Sequence, residues 1–177
     1  MLNKFTEELK VAMPQLISEI LSYRNEEKVY GIAFVTTDDY YGMYVAFETL
    51  EHMKQLKKPE NTWFVNEWGY SDTDLPTKFN KELYQNLVNV IETDDGIDFT
   101  KPSDEKWNFA VQLIQAIKEA IDVVPQTLFE QYGYLKDDIV FLTTMSDGDY
   151  MDEMLLESTK LFNSFKTSKE VLELFEN

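Results

Sequence analysis

Carboxylates are the only abundant reactive side chains in this sequence. The 177 residues include 33 Asp and Glu against 16 Lys and Arg, with one histidine and no cysteine, and the formal net charge is −17. The absence of cysteine excludes thiol nucleophiles, disulfides and thiolate metal sites. Carboxylates are therefore the first groups to consider for chemistry, either as acids and bases or as oxygen ligands of a metal.

The acidic residues are concentrated in two clusters. The first contains Glu92, Asp94, Asp95 and Asp98, and the second contains Asp147, Asp149, Asp152 and Glu153. Between Asp137 and Glu157 there are seven acids and no base. Neither cluster matches a calcium-binding loop, because the glycine comes too early in the first and the later glycine is missing from the second. Turns and helix starts also favour Asp, so we interpret both clusters as structural and predict no metal site.

The sequence offers no recognisable catalytic or nucleotide-binding motif. His52 falls at the edge of the apolar side of a predicted helix, without the partners that a Ser-His-Asp or zinc site needs, and we interpret it as a surface or boundary residue. The six glycines form no phosphate-binding loop. A pair of carboxylates suited to glycoside hydrolysis is expected by number alone among so many acids, so it carries no information. We predict no catalytic residue and no cofactor.

Aromatic residues are concentrated around Asn66 and Glu67. Such residues serve either as core anchors or as hot spots of an interface. We favour core packing, but this segment is also the first place to look for an interaction surface. Together with the second acidic cluster it gives the candidate binding residues. They are Trp63, Glu67, Trp68, Tyr70, Asp147, Asp149, Asp152 and Glu153.

The charge restricts the class of partner. A pI near 4.3 opposes binding to phosphate backbones and to anionic lipid surfaces, so nucleic acid and membranes are not expected partners. A basic protein fits the charge, although acidity also simply favours solubility. No stretch approaches the roughly 20 apolar residues of a membrane helix, and the first ten residues lack an apolar signal core. We therefore expect a cytoplasmic protein, and the oligomeric state stays open.

Runs rich in β-forming residues predict the strands. Val29–Thr36 and Met43–Phe47, separated by a polar turn, predict a β-hairpin, and their nearly continuous apolar character predicts cover on both faces. Residues 61–70 are expected to hold a third short strand followed by a polar loop. Asp138–Thr144 predicts a buried strand. The run Ile32–Thr37 is echoed by Ile139–Thr144, as expected for two strands in equivalent buried places.

Apolar residues at helical spacing predict the helices. The predicted helices cover residues 2–21, 49–58, 76–91, 103–121 and 126–132, followed by two pieces within 149–175. Pro14 is expected to kink or divide the first helix. Ser103 is the predicted N-cap of the fourth, and Ser168 that of the last. The fold class is therefore α+β: one domain over residues 1–177, with an antiparallel or mixed sheet of about three to five strands flanked by helices.

Several of these segments resemble a family of uncharacterised, mostly bacterial proteins, domain of unknown function 4303. The similar segments occur in the same order over nearly the whole chain. They are the N-terminal helix with Tyr30–Asp39, the aromatic run Trp63–Tyr70, the strand from Ile139 to Asp147, and Leu161–Asn163 before the final helix. The resemblance implies no established activity and identifies no catalytic residue. It implies a general similarity to the immunity proteins that are often encoded near secreted toxins.

The expected function is therefore a non-enzymatic cytoplasmic binding protein, such as an immunity protein that blocks a basic toxin through an acidic face. Two alternatives stay open. One is a carboxylate-based or metal-dependent hydrolase that uses Asp147, Asp149 or Glu67. The other is a housekeeping protein of unknown function whose charge keeps it soluble.

Overall fold

A mixed sheet of four strands lies at the centre of the structure. The structure is a computed structural model, and it describes residues 2–56, 63–76, 81–93 and 96–173. The strands are β1 (Val29–Thr36), β2 (Met43–Thr49), β3 (Tyr70–Ser71) and β4 (Val140–Met145), and their order in the sheet is β3-β2-β1-β4. β2 is antiparallel to both β1 and β3, whereas β4 is parallel to β1. The predicted α+β class, the hairpin and a mixed sheet of this size are confirmed.

Both faces of the sheet are buried, which explains the nearly continuous apolar strands. Ile32 and Phe34 of β1 belong to the larger core cluster, and the alternate residues Ala33 and Val35 belong to a smaller one on the other face. Side chains alternate between the faces because a strand has a period of two. The predicted cover on both faces is therefore confirmed.

Seven α-helices surround the sheet in the described part of the chain. They are α1 (Asn3–Tyr23), α2 (Leu50–Leu56), α3 (Lys81–Thr93), α4 (Asp104–Asp122), α5 (Gln126–Gln131), α6 (Met151–Phe162) and α7 (Phe165–Leu172). α1 packs against α3 and α4, and the three contribute to the larger core, whereas α6 and α7 contribute Leu155 and Val171 to the smaller core. Within the described ranges, no helix has the length and apolar content needed to cross a membrane.

Pro14 does not divide the first helix. α1 is continuous from Asn3 to Tyr23 with Pro14 inside it. The loss of one backbone hydrogen bond at a proline disfavours a helix. Here the helix also buries a long apolar stripe, including Met13 and Ile17, which have no exposed surface. Such tertiary packing provides most of the stability of a helix in a protein and outweighs the local defect.

Two further predictions about segment ends were wrong. Ser168 is not a cap: it lies inside α7 with its hydroxyl donating to the Ser164 carbonyl (3.1 Å), and Ser164 occupies the N-cap position. A serine can satisfy its hydroxyl in this way within a helix, so its presence does not mark the start. The third strand was expected within residues 61–70, ahead of a polar loop. It consists instead of Tyr70–Ser71, and it follows a 3-10 turn at Val65–Glu67.

Some predicted boundaries fall outside the described residues. The predicted end of the second helix at Lys58 and residues 77–80 at the predicted start of the third lie there, as do Asp94 and Asp95 of the first acidic cluster. Ser103 is confirmed as the N-cap of α4, where its hydroxyl accepts the Lys106 amide.

β4 is an edge strand, and the edge that faces away from β1 is hydrogen-bonded by side chains of α6 and of the residue that follows α6. Asn163 accepts the Phe141 amide through Oδ1 and donates through Nδ2 to the Phe141 carbonyl, both at 2.8 Å. Ser158 accepts the Thr143 amide at 2.8 Å and donates to the Thr143 carbonyl at 3.0 Å. Ser158 and Asn163 each bond the amide and the carbonyl of one β4 residue, as the backbone of a neighbouring strand would. This segment therefore covers an edge that would otherwise expose unpaired backbone.

We expect Asn163→Ala to destabilise the protein by about 2 kcal/mol or more, because it leaves a backbone donor and acceptor of Phe141 unpaired. Urea unfolding followed by circular dichroism measures this change. Asn108→Ala is the matched control, since Asn108 is exposed on α4 and its truncation should change stability by less than about 0.5 kcal/mol. Equal effects of the two substitutions would show that the edge bonds contribute nothing.

Asp72 gives the fold a pH dependence. It is buried, and its carboxylate accepts the Val45 amide (3.3 Å) and the Tyr84 hydroxyl (3.2 Å). Burial nevertheless raises the pKa of Asp72 above its usual range. A raised carboxyl pKa means that ionisation is disfavoured in the folded state, so the penalty applies above the folded-state pKa and is lost as the pH falls below the unfolded-state pKa.

Asp72→Asn removes this charge and keeps an oxygen for the Val45 amide. We expect the variant to be more stable than the parent at pH 7, with an advantage that shrinks toward pH ~4, the usual carboxyl range. Thermal unfolding across this pH range tests the sign. An advantage that grows as the pH falls would contradict it.

Candidate functional site

A groove of about 400 Å³ lies between the aromatic segment and the start of α6. Six apolar residues line it: Trp63, Phe64, Val65, Met145, Met151 and Leu155. The polar residues of the lining are Asn66, Thr144 and Asp152. Concave, mostly apolar surfaces of this size with a few polar groups are typical of binding sites.

The sheet holds one wall of the groove, the aromatic segment 63–70. A Cβ atom on Gly31 would lie 2.6 Å from the Trp68 ring, so β1 approaches this ring as only glycine permits. The Trp63 ring meets the Tyr30 ring edge-on at 5.5 Å. Asn66 Nδ2 donates to the Ser146 carbonyl at 2.8 Å, which joins the segment to the loop after β4.

A buried carboxylate holds the far end of the same segment. Glu48 of β2 has no exposed surface, and its Oε2 accepts the Gly69 amide and contacts His52 Nδ1, both at 2.8 Å. The His52 side chain is 25% exposed, so its predicted place at the boundary of the core is confirmed. Its contact with Glu48 gives it a structural partner that the sequence did not indicate.

The other wall is the first part of α6. Thr144 Oγ1 donates to the Met151 carbonyl at 3.0 Å, which links the end of β4 to the helix start. Asp152 and Glu153 are exposed in the first helical turn, where the helix dipole favours acids. This dipole effect is the structural explanation of their position. Among the described residues, no hydrogen bond or ion pair engages the Asp152 side chain.

An ion pair between a buried lysine and a partly exposed aspartate fixes the loop between β4 and α6. Lys106 has no exposed surface, and its Nζ lies 2.8 Å from Asp38 Oδ1 in the hairpin turn. The Asp149 amide donates to the same Asp38 oxygen at 3.3 Å. Gly148 adopts a φ of +106°, and a Cβ atom there would lie 2.2 Å from that oxygen. A buried lysine within a predicted amphipathic helix carries no sequence signal of this role.

The structure brings part of the aromatic segment and part of the second acidic cluster together. Trp63 and Asp152 line the same groove, although they are far apart in the sequence. Glu153 is exposed beside Asp152, and Asp147 and Asp149 are exposed in the adjoining loop.

The remaining predicted residues do not line the groove. Glu67 is exposed in the 3-10 turn, and Trp68 packs over Gly31. Tyr70 stacks on Phe47 at 5.5 Å and donates to Glu27 Oε2 at 3.2 Å, so it packs on the larger core. Tyr70 therefore has a core role, as the sequence favoured for the aromatic residues as a group.

Sequence reasoning placed Phe64 in the aromatic segment but missed other parts of the lining, including Met145, Met151 and Leu155. Met151 and Leu155 are four residues apart with Asp152 between them, and this spacing places an apolar pair beside a carboxylate on one helix face. That signal was available. The contact of α6 with the aromatic segment had no local signal.

Of the described residues in the first acidic cluster, Asp98 begins a turn, with the Lys101 amide donating to its carbonyl. The Thr100 hydroxyl donates to Asp98, and this bond, followed by the bond with Lys101, lowers the Asp98 pKa to about 2. Glu92 is exposed at the end of α3. In the described ranges, no group of three or more acidic, histidine or cysteine side chains is placed to hold a metal ion.

The comparison with protein families identifies the family of this chain. Residues 6–164 match the family described as a domain of unknown function, DUF4303. The chain belongs to this family. The comparison with curated proteins and the comparison with solved structures found no match. DUF4303 membership thus supports the resemblance of the segments and names no ligand, reaction or partner.

The two residues of the ion pair that fixes the loop should differ in how much stability is lost when each is replaced. Asp38→Ala leaves the Lys106 ammonium buried and unpaired, and we expect a loss of about 2–4 kcal/mol, somewhat below the cost for a fully buried pair because the Asp38 side chain is 31% exposed. Lys106→Met leaves a carboxylate that water can reach, so we expect a change within about 1 kcal/mol. Urea unfolding of both variants measures these changes.

The double variant Asp38→Ala/Lys106→Met is the control for this pair. It should recover most of the stability lost in Asp38→Ala, since no unpaired ammonium remains. Additive losses in the double variant would contradict the assigned role of the ion pair.

Proposed function

We propose that this DUF4303 protein is a non-enzymatic binding module that receives a basic protein partner at the groove and the acidic surface beside it. An immunity protein that blocks a basic toxin is the form of this function that we favour. The observation that carries the proposal is the position of the groove, whose apolar lining adjoins the stretch of seven acids without a base.

Charge supports a basic partner. The side chains of Asp147, Asp149, Asp152 and Glu153 are exposed, and no ion pair to a described lysine or arginine neutralises them. An acidic surface attracts a basic partner and raises the rate of association, most strongly at low salt. It also disfavours acidic competitors, because like charges repel.

Exposed apolar surface supports a protein partner. Phe64 is 59% exposed and Met151 is 39% exposed at the groove. Aromatic and methionine side chains are enriched in the buried centre of interfaces, whereas acids belong to the rim. An apolar groove with an acidic border matches this arrangement.

A four-site variant tests the proposal against basic proteins encoded beside this gene. The substituted residues are Asp147→Asn, Asp149→Asn, Asp152→Asn and Glu153→Gln. We expect the association rate at low salt to fall by about tenfold or more, as measured by surface plasmon resonance. We also expect the variant to lose its protection of cells that express the partner.

The matched control removes four charges elsewhere on the surface. Its substitutions are Glu26→Gln, Glu92→Gln, Glu130→Gln and Glu170→Gln, all at exposed positions. It should retain protection and lose less than about threefold in association rate at the same salt concentration, since charges outside the acidic surface attract the bound partner from a greater separation. Equal losses in both variants, or no binding by any neighbouring basic protein, would overturn the proposal.

A further inference from the structure

We infer that the groove receives an arginine side chain of the basic partner, with its guanidinium on Asp152 and its stem on the apolar lining. This inference rests on the proposed function and specifies the chemical group that the groove recognises.

The polar groups of the groove favour a ligand that donates hydrogen bonds. Thr144 uses its hydroxyl hydrogen on the Met151 carbonyl, and Asn66 uses an amide hydrogen on the Ser146 carbonyl. Asp152 contributes acceptor oxygens only, and among the described lining residues it is the charged one. A ligand that is a cation and a donor complements this set, whereas an anion would meet a carboxylate.

The apolar lining favours a cation that carries apolar surface. Arginine and lysine bury their methylene stems along apolar surface and keep the charged end at a polar group. Trp63 and Phe64 provide aromatic rings in the same lining. A guanidinium stacks on such rings and binds a carboxylate through two parallel hydrogen bonds, which an ammonium does not do, so arginine fits better than lysine.

The size of the groove favours a side chain presented by a peptide segment over free arginine. A volume of about 400 Å³ lies within the range of pockets that hold drug-sized ligands. Phe64 and Met151 of the lining are 59% and 39% exposed and offer contacts to the apolar neighbours of the arginine.

Nuclear magnetic resonance titration of the full chain tests this inference with three probes. They are acetyl-Leu-Arg-Leu-amide, its citrulline counterpart and free arginine. We expect the arginine peptide to shift the Trp63 indole and the Met145 and Met151 methyl resonances. The citrulline peptide has the same shape without the charge, and we expect it to bind at least about tenfold more weakly.

Asp152→Asn should weaken the arginine peptide by a similar factor and leave the citrulline peptide unchanged. Glu130→Gln is the matched control, because it removes one exposed charge that is not among the candidate binding residues, and its effect should stay below about twofold. The melting temperature of each variant checks that the fold is retained.

Four results would overturn the inference. They are no shift at the groove, equal binding of arginine and citrulline peptides, equal effects of the two substitutions, and binding of free arginine as tight as that of the peptide. If one of these results is obtained and a basic protein partner nevertheless binds the chain, only the arginine assignment fails. If the peptide binds as expected and no basic protein does, the proposed function fails and the groove remains an arginine site.

Discussion

The hydrogen bonds that Ser158 and Asn163 make to the free edge of β4 are the interaction on which the rest of the structure depends. They satisfy the backbone amide and carbonyl of both Thr143 and Phe141. Unpaired backbone at a sheet edge is costly when buried and prone to pairing with other chains when exposed. Because both bonding residues belong to one helical segment, the same contacts that end the sheet also place α6 along it. The start of that helix forms a wall of the groove.

Two carboxylates, buried Glu48 and partly exposed Asp38, then hold the two segments that flank the groove. Glu48 binds the amide of Gly69 at one end of the aromatic segment, and Asp38 binds the amide of Asp149 in the loop before α6. Each carboxylate is matched by a cationic or ionisable side chain, His52 or Lys106. Segments fixed in this way lose little conformational entropy when a ligand binds, so the groove is pre-organised.

Local pattern was sufficient to predict much of the fold but little of the groove. The strand Val29–Thr36, the hairpin and the amphipathic α4 follow from residue period and turn chemistry, which act over a few residues. The echo between Ile32–Thr37 and Ile139–Thr144 corresponds to neighbouring parallel strands, with Ile32 paired to Phe141. In contrast, the bond from Asn66 to Ser146 spans 80 residues, and the Lys106 pair spans 68. One sequence holds no local signal for such contacts, which is why Trp63 and Asp152 were found separately and their common groove was not.

The acidic excess explains how fast a basic partner would arrive, but it does not explain which surface that partner would contact. Attraction between exposed charges is screened beyond about 8 Å at physiological salt, so a net charge of −17 can speed an encounter without fixing which surfaces meet. Apolar contact acts at short range and depends on shape. At the groove both features adjoin, with Phe64 and Met151 exposed next to the exposed carboxylate of Asp152. Charge would then govern how fast a basic partner arrives, and the apolar lining would govern how long it stays, because most differences in affinity at one interface arise from dissociation.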